Sequence, residues 1–295
     1  MSNSHEQKTA GRMQNPQITT QKHYICDTNC FYNHANGAID LDQFRNSNGP
    51  IYYSPLTVVE LLGKLDAETF AERKGVAQAI TNLKPTLLPD PDSHLVTIFG
   101  YVPAVPKAER ARLALEKLAK ASSIGEIANE VKICQEWRAN VEQDWLLSLQ
   151  ALLKERVPAY ACWLANGMPI GKRPRIGRKA DQAALRLELS TAEFQATMSA
   201  VLHCRALNHA IPHQAPLSAL VAGQDAVECY CKVFTRYLCE MLTTQMTHEI
   251  KEPNDSHDLE YFLYCRSDNW VFATAEKFWN RMASDCGMSA RVLRV

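Results

Sequence analysis

Short apolar runs that end in polar or acidic residues lie near both ends of this chain, and they constrain its fold more than any other feature. Residues 23–26 (HYIC) and 51–53 (IYY) have the pattern of buried parallel strands. Residues 270–273 (WVFA) and 290–295 (ARVLRV) have the same pattern near the other end, and residues 276–284 between them have helical composition. Strands that alternate with helices predict an α/β fold with a mostly parallel sheet covered by helices.

The middle of the chain has a different composition. Between residues 105 and 248 there are few β-branched runs and many Ala, Leu, Glu, Lys and Gln residues, with apolar side chains at helical spacing. We therefore predict an α/β domain formed by residues 23–104 and 249–295, interrupted by an all-helical insertion at 105–248. Residues 1–22 are predominantly polar and predict a flexible N-terminal tail.

Composition limits the class of protein. The 295 residues include 32 Lys and Arg, 32 Asp and Glu and 46% hydrophobic residues, which excludes disordered, fibrous and membrane-embedded classes. The tail has no apolar stretch typical of a secretory signal, and the ten cysteines form no paired CxxC modules, so we expect a cytoplasmic protein with reduced thiols. A net charge near zero gives no overall attraction to nucleic acid, so a polyanionic substrate would need a local basic patch or a bound metal ion.

Acidic side chains follow the predicted strands. Asp27 comes directly after the first strand, and Glu60 lies one turn into the helix that follows the second. Asp258 occupies the third position of a later helix that Asp255 caps, and Glu276 follows the strand WVFA. Because ligands bind at the carboxyl edge of a parallel sheet, we expect these side chains to converge there. Gathered carboxylates repel each other unless a cation neutralises them or some are protonated, and Mg²⁺ or Mn²⁺ is the usual solution.

Four motifs, in this order, resemble those of the PIN-like (PilT N-terminus-like) ribonuclease superfamily, which includes the toxin nucleases of bacterial toxin–antitoxin systems. They are CDTN at 26–29, SPLTVVELL at 54–62, NDSHDLEY at 254–261 and TAE at 274–276. The resemblance implies a PIN-like parallel-sheet α/β/α sandwich, here with an all-helical insertion. It also implies an acidic cluster that binds Mg²⁺ or Mn²⁺ and cuts RNA.

The resemblance assigns roles to the acidic residues by position. Asp27, Glu60 and Asp258 match the family's metal ligands and catalytic acids, with Asp255 as a nearby alternative ligand. Glu276 occupies the place of a further catalytic acid, where the family usually has aspartate. The extra methylene of Glu276 moves its carboxylate outward, which bears directly on metal geometry.

Two polar residues are assigned supporting roles by the same resemblance. Thr274 matches the threonine after the fourth strand and is expected to orient a ligand or a phosphate oxygen. Asn29 is expected to hold Asp27 or to contact a substrate phosphate.

A basic segment in the helical middle could supply positive charge for a polyanion. Residues 171–179 (GKRPRIGRK) carry five cations, which are Lys172, Arg173, Arg175, Arg178 and Lys179. Five cations are enough for a loop that contacts phosphates, and they are equally typical of a solvated connector between helices. No aromatic residue lies in the segment, so base stacking is not predicted there.

These features together predict a metal-dependent endoribonuclease, with DNA as a less favoured substrate than RNA. The resemblance to toxin nucleases also leaves open an antitoxin-like protein partner and a homo-oligomer. The alternative is a PIN-like module that has lost efficient catalysis and uses the helical insertion as its partner surface. Glu276 in place of aspartate and the length of the insertion favour this alternative.

Overall fold

The computed structural model describes most of the chain. The described residues are 21–104, 107–156, 191–212, 215–240 and 255–295, with Asn166, Leu187 and Leu189. Two predictions therefore lie outside the described residues: the N-terminal tail, apart from its last two residues, and the basic segment at 171–179.

Five described strands form a single parallel sheet. They are β1 (His23–Cys26), β2 (Ile51–Tyr53), β3 (Thr86–Leu87), β4 (Trp270–Thr274) and β5 (Val292–Arg294). Their order across the sheet is β3-β2-β1-β4-β5. The chain runs from β1 outward through β2 to β3, and then crosses back to add β4 and β5 on the other side. The order thus reverses between β1 and β4, and such a point is where open parallel sheets bind their ligands. The predicted α/β fold with a parallel sheet is confirmed.

The described helices connect and cover these strands. They are α1 (Thr28–Ala35), α2 (Leu41–Asn48), α3 (Pro55–Gly63), α4 (Phe70–Leu83), α5 (Pro91–Ile98), α6 (Ala108–Lys120), α7 (Ala128–Arg156), α8 (Ala192–His209), α9 (Leu217–Ala226), α10 (Glu228–Glu240), α11 (Asp255–Tyr261) and α12 (Lys277–Asp285). Within the described parts of the chain, no helix is long and apolar enough to cross a membrane.

Hydrophobic cores lie on both faces of the sheet. Ile25 and Phe272 point into one core, which α5, α8, α10, α11 and α12 cover. Their neighbours Cys26 and Ala273 point into the other core, beneath α1, α2, α3, α4, α6 and α7. Successive side chains of a strand face opposite sides, so both faces of β1 and β4 are apolar and both are buried.

Helices from the predicted insertion contribute to both cores. Leu115 and Leu118 of α6 pack in the core that contains Cys26. Leu202 of α8 and Tyr237 of α10 pack in the core that contains Ile25. The described helices of the 105–248 segment therefore help to cover the sheet on both of its faces.

The contact between α9 and α5 offers a direct test of this packing. A Cβ atom added at Gly223 would stand 2.4 Å from Phe99 Cδ1 and 3.0 Å from the Ile98 carbonyl oxygen. Phe99 is fully enclosed and has little room to yield. We expect Gly223→Ala to lower the free energy of unfolding by about 1–3 kcal/mol, as overpacking of a core does.

Gly75 provides the matched control for this substitution. It lies within α4, and a Cβ atom added there meets nothing within 4 Å. Gly75→Ala should raise the free energy of unfolding by roughly 0.5–1 kcal/mol, because alanine loses less backbone entropy in a helix. Urea unfolding of both variants measures the difference, and equal changes of the same sign would contradict the α9–α5 contact.

Candidate active site

The predicted acidic residues lie at the carboxyl ends of β1 and β4, where the strand order reverses. Asp27 directly follows β1, and its backbone N–H donates to the carbonyl oxygen of Ala273 on β4, 3.2 Å away. Thr274 is the last residue of β4. The sheet pairing therefore fixes Asp27 and Thr274 side by side.

The Asp27 carboxylate is held at both of its oxygens. Its Oδ1 accepts from the backbone N–H of Cys30 at 2.8 Å and caps α1. Its Oδ2 accepts from the hydroxyl of Thr274 at 2.6 Å. Only 2% of Asp27 is exposed, and this burial raises the pKa of its carboxyl although the hydrogen bonds from Thr274 and Cys30 oppose the change. One oxygen of Asp27 thus caps α1, and the other lies beside Thr274 at the candidate site.

Thr274 links Asp27 to Glu276 through one hydroxyl group. The hydroxyl donates to Asp27 and accepts from the backbone N–H of Glu276 at 3.0 Å. Glu276 precedes α12, and its Oε1 accepts from the side-chain amide of Asn29 at 2.9 Å, near the solvent-exposed rim. The sequence predicts that Asn29 holds Asp27 or contacts a substrate phosphate. The structure places the side-chain amide of Asn29 against Glu276, and a hydrogen bond from the Asn29 backbone lowers the pKa of Asp27.

Glu60 lies within α3 and faces the same site. Its Oε2 accepts a short hydrogen bond from the hydroxyl of Thr28. Its Oε1 is enclosed and has no hydrogen-bond partner among the described residues. Burial raises the pKa of Glu60 to about 7; the Thr28 hydrogen bond opposes this shift, and the negative charge of Asp27 adds to it.

Asp258 completes the cluster from α11. It is 7% exposed, and its pKa lies well above the ordinary value because of burial first, and then because of the negative charges of Glu60, Glu276 and Asp27. These four carboxyl groups therefore share one electrostatic environment. Asp255 begins the same helix and accepts a hydrogen bond of 2.8 Å from the hydroxyl of Tyr237, a residue of the core.

Sequence analysis missed two residues that border the cluster. Tyr261 is fully buried, and its hydroxyl lies 3.0 Å from Thr57 Oγ1. Its pKa is raised well above the ordinary value by burial and then by the charges of Glu60 and Asp27. Tyr261 follows Asp258 by three residues, a helical spacing that could have indicated a shared face.

Arg138 of α7 also acts on Glu60, since its positive charge lowers the pKa of that carboxyl. No local motif marks Arg138.

The chemistry of these side chains fits a hard divalent cation. Carboxylate oxygens are the ligands that Mg²⁺ and Mn²⁺ prefer, and Glu60 Oε1 has no hydrogen bond to lose among the described residues. Within that part of the chain, however, no group of three or more Asp, Glu, His or Cys side chains is arranged to hold a metal ion. Binding would therefore require loss of protons and rotation of a carboxylate.

The hydroxyl of Thr274 is expected to contribute to stability and to Mn²⁺ affinity, because it orients Asp27. Thr274→Val preserves the shape of the side chain but leaves Asp27 Oδ2 without its donor and the Glu276 N–H without its acceptor. We expect the free energy of unfolding to fall by about 1–3 kcal/mol, and Mn²⁺ affinity by about 10–100-fold, as for other partners that orient a metal ligand. Thr274→Ser keeps the hydroxyl and should stay near wild type. Calorimetry with urea unfolding measures both effects, and equal behaviour of the two variants would contradict the orienting role.

Comparison with known proteins gives no family for this chain. It matches no protein-family model, no curated protein and no solved structure.

Proposed function

We propose that this chain is a metal-dependent endoribonuclease with a PIN-like fold. The observation that supports the proposal best is the cluster of Asp27, Glu60 and Asp258 at the point where the strand order reverses. All three carboxyl groups have raised pKa values, and burial is the largest cause in each case. A bound divalent cation would favour their ionised forms.

Each residue has a distinct role in this proposal. Asp27, Glu60 and Asp258 would hold Mg²⁺ or Mn²⁺, with Glu276 as a further acid at the rim. Asp255 would serve as a ligand only after releasing the Tyr237 hydroxyl. When bound, the metal ion neutralises charge on the phosphodiester and activates a water molecule for attack. Thr274 keeps Asp27 Oδ2 turned toward the site.

The substrate and partners follow from the same proposal. The basic segment at 171–179 would contact RNA phosphates, with DNA as the less favoured polymer. An antitoxin-like protein that covers the acidic cluster, a homo-oligomer and a cytoplasmic location all belong to the toxin-like version of this function.

A second candidate is a PIN-like binding or scaffold module without efficient catalysis. Two observations favour it: the hydrogen bond that draws Glu276 toward Asn29, and the lack of a ready metal-holding group in the described part of the chain. In this case the helices of the 105–248 segment would form the partner surface.

Mn²⁺ titration by calorimetry, with RNA and DNA cleavage assayed on the same samples, separates the two candidates. A nuclease should bind Mn²⁺ and cut RNA faster than DNA of matched sequence, and EDTA should stop the cleavage. A wild-type protein that takes up no Mn²⁺ and leaves RNA intact would overturn the nuclease and support the binding module.

A further inference from the structure

A buried histidine lies directly beside the acidic cluster. His257 precedes Asp258 in α11 and is fully buried, and neither of its ring nitrogens has a hydrogen-bond partner among the described residues. Its ring meets the ring of Trp137 edge-on, with 5.5 Å between centroids, so it faces α7. A buried polar group without a partner costs free energy, and a ligand that accepts a hydrogen bond from the ring would remove that cost.

Two cations border the same place from α7 and the end of α3. Arg138 follows Trp137 and lies against Gly63, where an added Cβ atom would stand 3.0 Å from Arg138 Cδ. Its Nε donates to Glu142, which fixes the position of the guanidinium group. Lys64 follows Gly63 and has an exposed side chain. Arg138 therefore packs against the residue that precedes Lys64 in the chain.

The two cations act on each other and on the acidic cluster. Partial burial and then the charge of Arg138 lower the pKa of Lys64. Both charges also act on the carboxyl of Glu60. Positive groups thus adjoin the acidic cluster on the side that α7 covers.

We propose that Lys64, Arg138 and His257 form an anion subsite that takes a phosphate group of the polynucleotide substrate. The two cations supply charge, and the ring of His257 supplies a hydrogen-bond donor in a site shielded from water. A polynucleotide with one phosphate group in this subsite would pass over Glu60. The two cations would then neutralise the phosphate charge on one side, and a bound metal ion would do so on the other. This inference rests on the proposed nuclease function and deepens it.

Inorganic phosphate is the probe for this subsite, and its binding to the full chain can be measured by equilibrium dialysis in EDTA. The wild type should bind phosphate, and Lys64→Gln should bind it about tenfold more weakly, the effect of losing one charge-assisted hydrogen bond. His257→Phe fills the same space without its ring nitrogens and should weaken binding similarly. Lys132→Gln removes an exposed cation from the same α7 helix and should change nothing.

The outcomes are separable from those of the nuclease test. If the wild type fails to bind phosphate, or if Lys64→Gln binds it as tightly as wild type, the subsite is wrong, and the exposed position of Lys64 means that misfolding would not explain the result. In the presence of Mn²⁺, Lys64→Gln should raise the KM for RNA more than it lowers kcat. Failure of the wild type to bind Mn²⁺ would count against the nuclease alone, because the phosphate comparison is made without metal.

Discussion

Asp27→Asn should remove RNA cleavage while leaving the protein folded. Asparagine caps helices as well as aspartate does, so α1 keeps its N-terminal hydrogen bond from Cys30. The substitution nevertheless removes a negative charge from the buried carboxyl groups at the carboxyl ends of β1 and β4. We expect the cleavage rate to fall by more than about 100-fold, since even partners that merely orient a metal ligand contribute 10–100-fold. Mn²⁺ affinity should fall with it.

Asp40 gives a matched control for this prediction. It caps α2 through the same kind of contact, with Oδ1 accepting from the Gln43 N–H at 3.0 Å, but on the exposed surface. Asp40→Asn should therefore retain cleavage and Mn²⁺ binding. Both variants should remain folded, because asparagine keeps the helix cap in each. If Asp27→Asn cuts RNA as fast as Asp40→Asn does, Asp27 is only a cap and the proposed site is wrong.

The strands that border this site were predictable because the sheet is buried on both faces. Residues 23–26, 51–53 and 270–273 are continuous apolar runs, and the structure places strands on each of them, with one further residue at the end of β4. The sequence does not indicate the strand Thr86–Leu87, since two residues are too short to show any periodicity. It does not define the helix Leu41–Asn48 either, because only its Asp40 cap and a few apolar side chains distinguish it from a loop.

The convergence of the acidic residues followed from topology, whereas their individual contacts did not. A strand end fixes where Asp27 stands, but the partner of Asp255 depends on how α10 packs against α11, which brings the Tyr237 hydroxyl to it. The same is true of Arg138, which reaches Glu60 only through the packing of α7 on α3 at Gly63. Contacts between helices distant in sequence leave no short motif, so local pattern could not predict them.

The stability that Glu60 contributes to the metal-free protein should be lost as the pH rises from about 5 to about 8. Burial moves the pKa of Glu60 from its ordinary value of 4.5 to about 7 in the folded state. Between these values the folded protein holds a proton that the unfolded chain has released, so a rising pH favours unfolding. A shift of this size corresponds to roughly 3 kcal/mol, at 1.36 kcal/mol per pKa unit. Asp27 and Asp258 are shifted in the same direction and add to the effect. Burial lowers the pKa of His94 and His257 to about 4, and these two groups act in the opposite direction below about pH 6.5.

Glu60→Gln isolates this contribution, because glutamine can still accept from Thr28 but carries no titrating proton. Urea unfolding in EDTA should show that Glu60→Gln gains stability relative to wild type as the pH rises through this range. Glu68→Gln, an exposed substitution of the same kind, should keep the wild-type dependence. If the difference in stability between Glu60→Gln and wild type does not change with pH, Glu60 is not the buried acid described here. Mn²⁺ should restore this stability in the wild type at the upper end of the pH range. A bound cation takes the place of the protons and so stabilises the folded protein with its carboxyl groups ionised.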